Sequence, residues 1–311
     1  MHVSVGLTGA ALPPTVLTIG NFDGVHLGHV AVLERLQACS REQGLPSTVM
    51  TFEPHPRELF TPDRAPVRLT SLREKLQLLE SLGVNNAYVC HFTRQVAGFE
   101  AADFVRRVLV EQLSTRHVIV GDDFRFGKNR GGDYALLQHM GVQQGFGIEA
   151  MPTVDMDGTR VSSSAVREAL AGGELDLAAR LLGRPYAISG RICHGDKIGR
   201  TLGFPTANVQ LKRRRLPLTG IYAVTVTGID KRHLPGAASL GVRPTVRDGL
   251  RPTLEVHLLD FDRDIYGAHI SVHFLKKLRN EEKFDSLAAL TAQIERDVAA
   301  TRDYFSGTHH G

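Results

Sequence analysis

Two histidines, His26 and His29, stand three residues apart just after a turn, Gly20-Asn21-Phe22-Asp23-Gly24-Val25. At that spacing both rings project from one face of the first turn of a helix. Imidazole beside the free N–H groups of a helix N-terminus makes an anion site, and two glycines let backbone approach the ligand. The chemistry this suits is the handling of a nucleotide phosphate. A second string, Gly195-Asp196-Lys197-Ile198-Gly199-Arg200-Thr201-Leu202-Gly203, puts Lys197 and Arg200 on glycine-rich backbone, which suits a polyphosphate. A charged hairpin turn has the same composition. Pro205-Thr206-Ala207-Asn208 follows, and Thr206 and Asn208 offer oxygen ligands two residues apart, suited to a hard cation such as Mg²⁺.

The elements that must position these residues are legible from periodicity. The apolar run Val16–Ile19 reads as a buried parallel strand, and Leu27, Val30, Leu33 and Leu36 repeat at helical spacing behind the histidines. Further strands are expected at Thr48–Phe52, Ala87–Phe92, His117–Val120 and Gly147–Met151, with helices around 26–43, 70–82, 100–113 and 132–144. Strand and helix in alternation imply a doubly wound parallel sheet, which binds ligands beyond the carboxyl ends of its strands. Glu53-Pro54-His55-Pro56 and Gly121-Asp122-Asp123-Phe124-Arg125-Phe126-Gly127 also follow strands directly, so all three stretches are expected on one rim.

Two short helices, 162–171 and 174–182, lead to Gly183 and Pro185, a helix ending that places the domain boundary between residues 1–183 and 184–311. Beyond it lie short alternating segments: Tyr186–Ile192, Ile221–Thr227, Ala237–Leu240, Leu254–Leu259 and His269–Phe274. These imply a small antiparallel barrel. A long amphipathic helix from Asp285 to Phe305 closes the chain, with Leu287, Leu290, Ile294 and Val298 as its apolar stripe.

Composition limits the alternatives. The 311 residues suffice for two cores, and no run of 18 apolar residues suggests a membrane span. The start lacks a basic segment and contains Pro13-Pro14, so no signal peptide is expected. Cys39, Cys90 and Cys193, widely spaced and odd in number, read as reduced, buried thiols of a cytoplasmic protein. Residues 1–183 hold 17 Lys+Arg against 20 Asp+Glu; residues 184–311 hold 20 against 13. The basic excess therefore lies in the second half, which suits polyphosphates and leaves nucleic acid open as a partner.

An H-x-x-H pair also occurs in zinc sites and in plain structural roles, but further zinc ligands are lacking nearby. No Lys-Ser/Thr follows the turn, so the Walker loop does not fit, and G-x-G-x-x-G is absent there. His26-Leu27-Gly28-His29 instead resembles the H-x-G-H signature of the nucleotidyltransferase superfamily. The longer string Gly20–His29 resembles the adenylyltransferase module of prokaryotic bifunctional riboflavin kinase/FAD synthetases. Thr51-Phe52-Glu53-Pro54-His55-Pro56, Gly121–Gly127 and Val161-Ser162-Ser163-Ser164-Ala165-Val166-Arg167 resemble that family's later motifs, with Ser164 in place of a threonine. The string from Gly195 to Asn208 resembles the riboflavin kinase module. Gly220-Ile221-Tyr222-Ala223, Gly241-Val242-Arg243-Pro244-Thr245, Leu254-Glu255-Val256-His257 and Asp260-Phe261-Asp262 fit the same pattern.

The resemblance implies two reactions: ATP-dependent phosphorylation of riboflavin to FMN in the C-terminal domain, and adenylylation of FMN to FAD with release of pyrophosphate in the N-terminal domain. It implies Mg²⁺ and ATP. It gives His26 and His29 the transferring phosphate, and Gly20, Asn21, Phe22, Asp23, Gly24, Ser162, Ser163, Ser164 and Arg167 the nucleotide. Pro54, His55, Pro56, Asp123, Phe124 and Arg125 fall to the flavin, although Phe124 also reads as a core aromatic. In the kinase, Gly195, Lys197, Gly199, Arg200, Thr206 and Asn208 fall to ATP, Thr206 and Asn208 to the metal, Glu255 to catalysis, and Arg279 to flavin or to a plain surface charge. The expected partners are small-molecule substrates, with self-association open and no membrane. The competing readings are an enzyme with one active domain, one adenylylating another phosphate ester, and a flavin-responsive nucleic-acid binder motivated by Lys212-Arg213-Arg214-Arg215.

Overall fold

The structure, a computed structural model, describes residues 1–6, 11–195, 202–230, 232–245 and 249–307. Contacts divide the chain into two compact units, Met1–Pro66 with Leu72–Ser163, and Val67–Ser71 with Ser164–Gly311.

The first unit is built in chain order from β1 (His2–Val5), β2 (Thr15–Ile19), α1 (Leu27–Gln43), β3 (Ser47–Glu53), α2 (Pro56–Phe60), α3 (Leu72–Ser81), β4 (Asn86–His91) and α4 (Arg94–Ala97). Then come α5 (Ala101–Phe104), which runs on as a π-helical stretch (Val105–Gln112), β5 (Thr115–Gly121), α6 (Tyr134–Gln144), β6 (Gly147–Met151) and a small hairpin of β7 (Asp155–Met156) and β8 (Thr159–Arg160). The six long strands form one parallel sheet in the order β1-β4-β3-β2-β5-β6. Burial explains the layering. Along β2, Val16 packs with Leu33, Leu36 and Leu79 from α1 and α3. Its neighbour Leu17, on the opposite face by strand periodicity, packs with Val105, Leu109 and Leu137. Helices thus cover both faces, as a buried parallel sheet requires. Strand order reverses between β2 and β5, and their carboxyl ends define the switch point.

The second unit contains α7 (Ser163–Gly172) from Ser164 onward and α8 (Leu175–Leu182). Its strands are β9 (Ala187–Cys193), β10 (Ala207–Val209), β11 (Gly220–Thr227), β12 (Leu234–Thr245), β13 (Gly249–Leu258) and β14 (His269–Arg279), followed by α9 (Leu287–Gly307). The strands close into an antiparallel barrel in the order β10-β13-β12-β11-β14-β9. Alternation is regular: Ile270, Val272 and Phe274 of β14 point inward with Ile188 and Ile192 of β9. The segment Val67–Ser71 is held within this unit. Arg167 Nε donates to Val67 O at 2.6 Å, and Tyr186 Oη to Leu69 O at 2.9 Å. Arg213 donates to Tyr186 Oη at 2.8 Å, so one cation of the Lys212–Arg215 run serves packing.

Three expectations are corrected. Cys39 and Cys90 are buried, but Cys193 is exposed, because it ends β9 on the outward face. Leu287, assigned to the apolar stripe of the last helix, is 66% exposed, and the buried residues of that helix are polar, Asp297 and Thr301. An ion pair described below, more than an apolar stripe, fixes this helix. The single run expected at Ala237–Leu240 is only the middle of β12, and β1 and β10 escaped notice.

Candidate active sites

The turn after β2 is a strained piece of backbone. Phe22, Gly24 and Val25 all have positive φ, at 48°, 85° and 43°. A β-branched residue in that region costs of order 1–3 kcal/mol and persists only where its surroundings hold it. Here the side chains of Phe22 and Val25 are 2% and 0% exposed, so burial pins the turn. Asn21 O accepts from the Thr51 hydroxyl at 3.1 Å, and that hydroxyl accepts from the ammonium of Lys75 at 3.1 Å.

Behind the turn, His26 caps α1. Its Nδ1 accepts the backbone N–H of His29 at 3.3 Å. The lone pair on Nδ1 therefore puts the proton of the neutral ring on Nε2, which is the donor position. The rings of His26 and His29 stack at 3.7 Å and 19°, with Phe22 against His29 at 4.8 Å. Gly28 is required beside them: an added Cβ would meet the His26 ring at 3.1 Å and Val161 O at 3.3 Å.

A cleft opens at the switch point, lined by Gly20, Phe22, His26, His29, Asp123 and Ser162 among others. The structure thus brings the first histidine motif together with the loop after β5 and the start of the serine motif. Ser163 Oγ donates to Asp23 O at 2.8 Å, tying that motif to the turn. Ser164 and Arg167 belong to the second unit. Phe124 lines the cleft, stacks on Phe126 at 5.6 Å and packs against the core. Arg125 is not among the lining residues and pairs with Asp133 at 3.2 Å. Pro54, His55 and Pro56 also lie outside the lining. There His55 Nδ1 caps α2 by accepting from Arg57 N at 3.2 Å, with Glu58 completing the box.

Sequence reasoning missed Arg160, which stands on the β7–β8 hairpin, lines the cleft and pairs with Asp123. No local signal marks it, since the hairpin folds back from beyond the sheet. Asp122, inside the Gly121–Gly127 stretch, accepts from the backbone and hydroxyl of Thr153 at 3.3 and 3.1 Å, holding the loop after β6.

In the barrel, Asn208 sits on the short strand β10, opposite Glu255 of β13 on one side and Cys193 of β9 on the other. Directly opposed side chains share a face with Cβ atoms about 5 Å apart. The expected metal ligand and the expected carboxylate are therefore neighbours, although 47 positions separate them in the numbering. Glu255 accepts from Arg243 Nη2 at 2.6 Å, which fixes the carboxylate's orientation. His257, two residues on and on the same face, donates from Nδ1 to Pro205 O at 2.9 Å and meets Phe204 edge-on at 5.6 Å. It thereby holds the Pro205–Asn208 turn, a role readable from the two-residue strand period. Gly195 passes directly over Asn208: a Cβ there would meet the Asn208 amide at 2.3 Å. Lys197, Gly199 and Arg200 lie outside the described residues.

Arg279 is engaged elsewhere. Its Nε and Nη2 donate to Asp297 of α9 at 2.9 and 2.7 Å, and Gln293 Nε2 adds a third bond to Asp297 at 2.9 Å. Among the described residues, no group of three or more His, Cys, Asp or Glu is arranged to hold a metal. Thr206 and Asn208 offer neutral oxygen donors, and hydroxyl and Asn side chains of this type join carboxylates in holding Mg²⁺ beside ATP phosphates in phosphoryl-transfer enzymes. Burial pushes the Cys90 thiol up to about 12, which makes it inert.

Fold and sites together define a two-unit chain, a nucleotidyltransferase-type α/β sheet joined to a flavokinase-type barrel. The sequence model of the FAD synthetase family matches residues 9–165, and that of the riboflavin kinase family matches residues 182–305. The bifunctional riboflavin kinase/FMN adenylyltransferase of Escherichia coli K12 is 53% identical over 94% of this chain and 93% of its own. The proteins of that description from Pseudomonas fluorescens and Haemophilus influenzae are 52% and 46% identical, over 95% and 98% of this chain and 94% and 100% of theirs. A solved Streptococcus pneumoniae structure described as a macrolide-efflux protein superposes with a TM-score of 0.82, at 28% identity, over 97% of this chain and 99% of its own. Among the described residues no helix is long and apolar enough to cross a membrane. The chain belongs to the bifunctional riboflavin kinase/FMN adenylyltransferase family.

Proposed function

We propose that this chain makes FAD from riboflavin in two steps. The barrel transfers the γ-phosphoryl group of ATP to the 5′-hydroxyl of riboflavin, giving FMN and ADP. The α/β domain joins FMN to the adenylyl group of a second ATP, giving FAD and pyrophosphate. The supporting observation is the presence on one chain of a stacked histidine pair at a sheet switch point and a carboxylate opposite Asn208 in a barrel. We assign residues 1–183 to adenylylation and 184–311 to the kinase.

In the adenylylation site the FMN phosphate is already an anion and needs no general base. It needs alignment with the α-phosphate of ATP and relief of the charge that builds as pyrophosphate leaves. His26 Nε2–H, His29 and the N-terminal amides of α1 supply donors. Gly20, Asn21, Phe22, Asp23 and Gly24 shape the nucleotide turn. Ser162, Ser163, Ser164 and Arg167 are assigned to the leaving phosphates. Asp123 and Phe124 place flavin at the cleft, and Pro54, His55, Pro56 and Arg125 are assigned to its outer wall.

In the kinase site the nucleophile is a neutral hydroxyl whose proton must leave during transfer. Glu255 accepts it, held in place by Arg243. Thr206 and Asn208 hold Mg²⁺, which neutralises charge on the ATP phosphates when bound; Gly195, Lys197, Gly199 and Arg200 cradle those phosphates. We assign Arg279 to anchoring α9, because its guanidinium is engaged by Asp297. We place the enzyme in the cytoplasm, where riboflavin and ATP meet. A chromatographic time course with riboflavin, ATP and Mg²⁺ tests the reading. FMN should rise and then give way to FAD; FMN that accumulates without FAD refutes the adenylylation half, and unconsumed riboflavin refutes the kinase half.

A further inference from the structure

Lys75 is 2% exposed, one of the largest fully buried side chains of the protein. A buried lysine needs a reason, since removing an ammonium from water costs several kcal/mol unless hydrogen bonds compensate. Its Nζ donates to Thr51 Oγ1, and the Thr51 hydroxyl spends its own proton on Asn21 O. The direction of both bonds is fixed, because Asn21 O only accepts. A chain of two hydrogen bonds therefore runs from α3 through β3 to the carbonyl of the nucleotide turn. That turn carries three positive φ angles, two of them at residues with side chains. Such backbone relaxes unless it is held at several points.

The geometry points to Lys75 as a positioning residue of the adenylylation site: through Thr51 it holds Asn21, and with it the strained turn that sets the histidine pair. The inference rests on the adenylyltransferase reading above. Neither side chain lines the cleft, so both act through backbone and not on the substrate.

The test compares Lys75→Met, Thr51→Val and Thr51→Ser in the full chain, measuring FAD formation from supplied FMN and, separately, FMN formation from riboflavin. Thr51→Val keeps shape and removes both bonds; Thr51→Ser keeps both. Loss of alignment by a fraction of an ångström to an ångström lowers rates by up to about a hundredfold. The expected result is a fall of that order in adenylylation kcat for Lys75→Met and Thr51→Val. KM for FMN and ATP should stay within about threefold, Thr51→Ser should keep most of the rate, and the kinase rate should be unchanged. Thr51→Val at the wild-type kcat, or Thr51→Ser as impaired as Thr51→Val, overturns the assignment. If Lys75→Met also loses kinase activity through misfolding, the Thr51 pair decides. A wild-type chain making no FAD overturns the underlying reading and the assignment together, whereas FAD formation by wild type with unaffected variants overturns the assignment alone.

Discussion

Replacing Arg279 with methionine separates two roles that the same residue could fill. Its guanidinium gives Asp297 two bonds, at 2.9 and 2.7 Å, from side chains 18% and 10% exposed. Removing one partner of a fully buried pair costs about 3–5 kcal/mol, and the residual exposure brings this to about 2–3 kcal/mol. Gln293 keeps one bond to Asp297, which argues for the lower end. For a unit of this size that is a fall in Tm of about 5–9 °C. The guanidinium's usual pKa is raised by Asp297 and lies far above neutrality, so the effect is independent of pH near 7. The assay is thermal unfolding of Arg279→Met, Asp297→Asn and the double variant, alongside KM for riboflavin measured well below Tm. Both single variants should lose comparable stability, the double should lose less than their sum, and KM should stay within about twofold. A riboflavin KM raised tenfold or more with stability intact would refute the anchoring role and restore Arg279 to the flavin site.

Glu255→Gln should lower FMN formation by about 10²- to 10⁴-fold and leave FAD formation from supplied FMN unchanged; an unaltered kinase rate rejects the carboxylate as proton acceptor. Gly28→Ala should slow adenylylation at least tenfold, because the new methyl displaces the His26 ring from 3.1 Å contact, and wild-type kinetics would show that the ring tolerates the shift. His273 and His117 have pKa values lowered, chiefly by burial. Their neutral forms therefore contribute stability that is present above the unfolded value of about 6.5 and lost as pH falls through the lower folded values. Tm should drop on acidification below that point, and less steeply in His273→Leu; an identical slope in the variant rejects the assignment.

Where burial repeats with strand or helix period, elements were legible. β2 and β3 lie within one residue of expectation because sheet strands buried on both faces read as apolar runs. The edge strand β1, with alternating polar residues His2 and Ser4, lacks that signal. β12 and β13 extend past their apolar centres because Pro235, Pro244 and Pro252 read as turns, yet the barrel absorbs them in strands. In the sites, motif residues carried their own signal. Arg160 and Lys75 did not, since each works through a partner at least 24 positions away. Arg243 stood inside a quoted motif, but its pairing with Glu255 is visible only in the fold. Thr51 stood inside a quoted motif, but its hydroxyl's place between Lys75 and Asn21 is visible only in three dimensions.

Riboflavin kinase and FMN adenylyltransferase act in series on one chain, FMN being the product of one and the substrate of the other. Mixing Glu255→Gln with His29→Ala and supplying riboflavin, ATP and Mg²⁺ tests whether separate sites carry the two steps. Neither variant alone should form FAD from riboflavin, and the mixture should, with FMN rising first from the His29→Ala chain. A mixture that accumulates FMN but yields no FAD, or a single variant deficient in both steps while folded, would refute the assignment of the two reactions to separate sites.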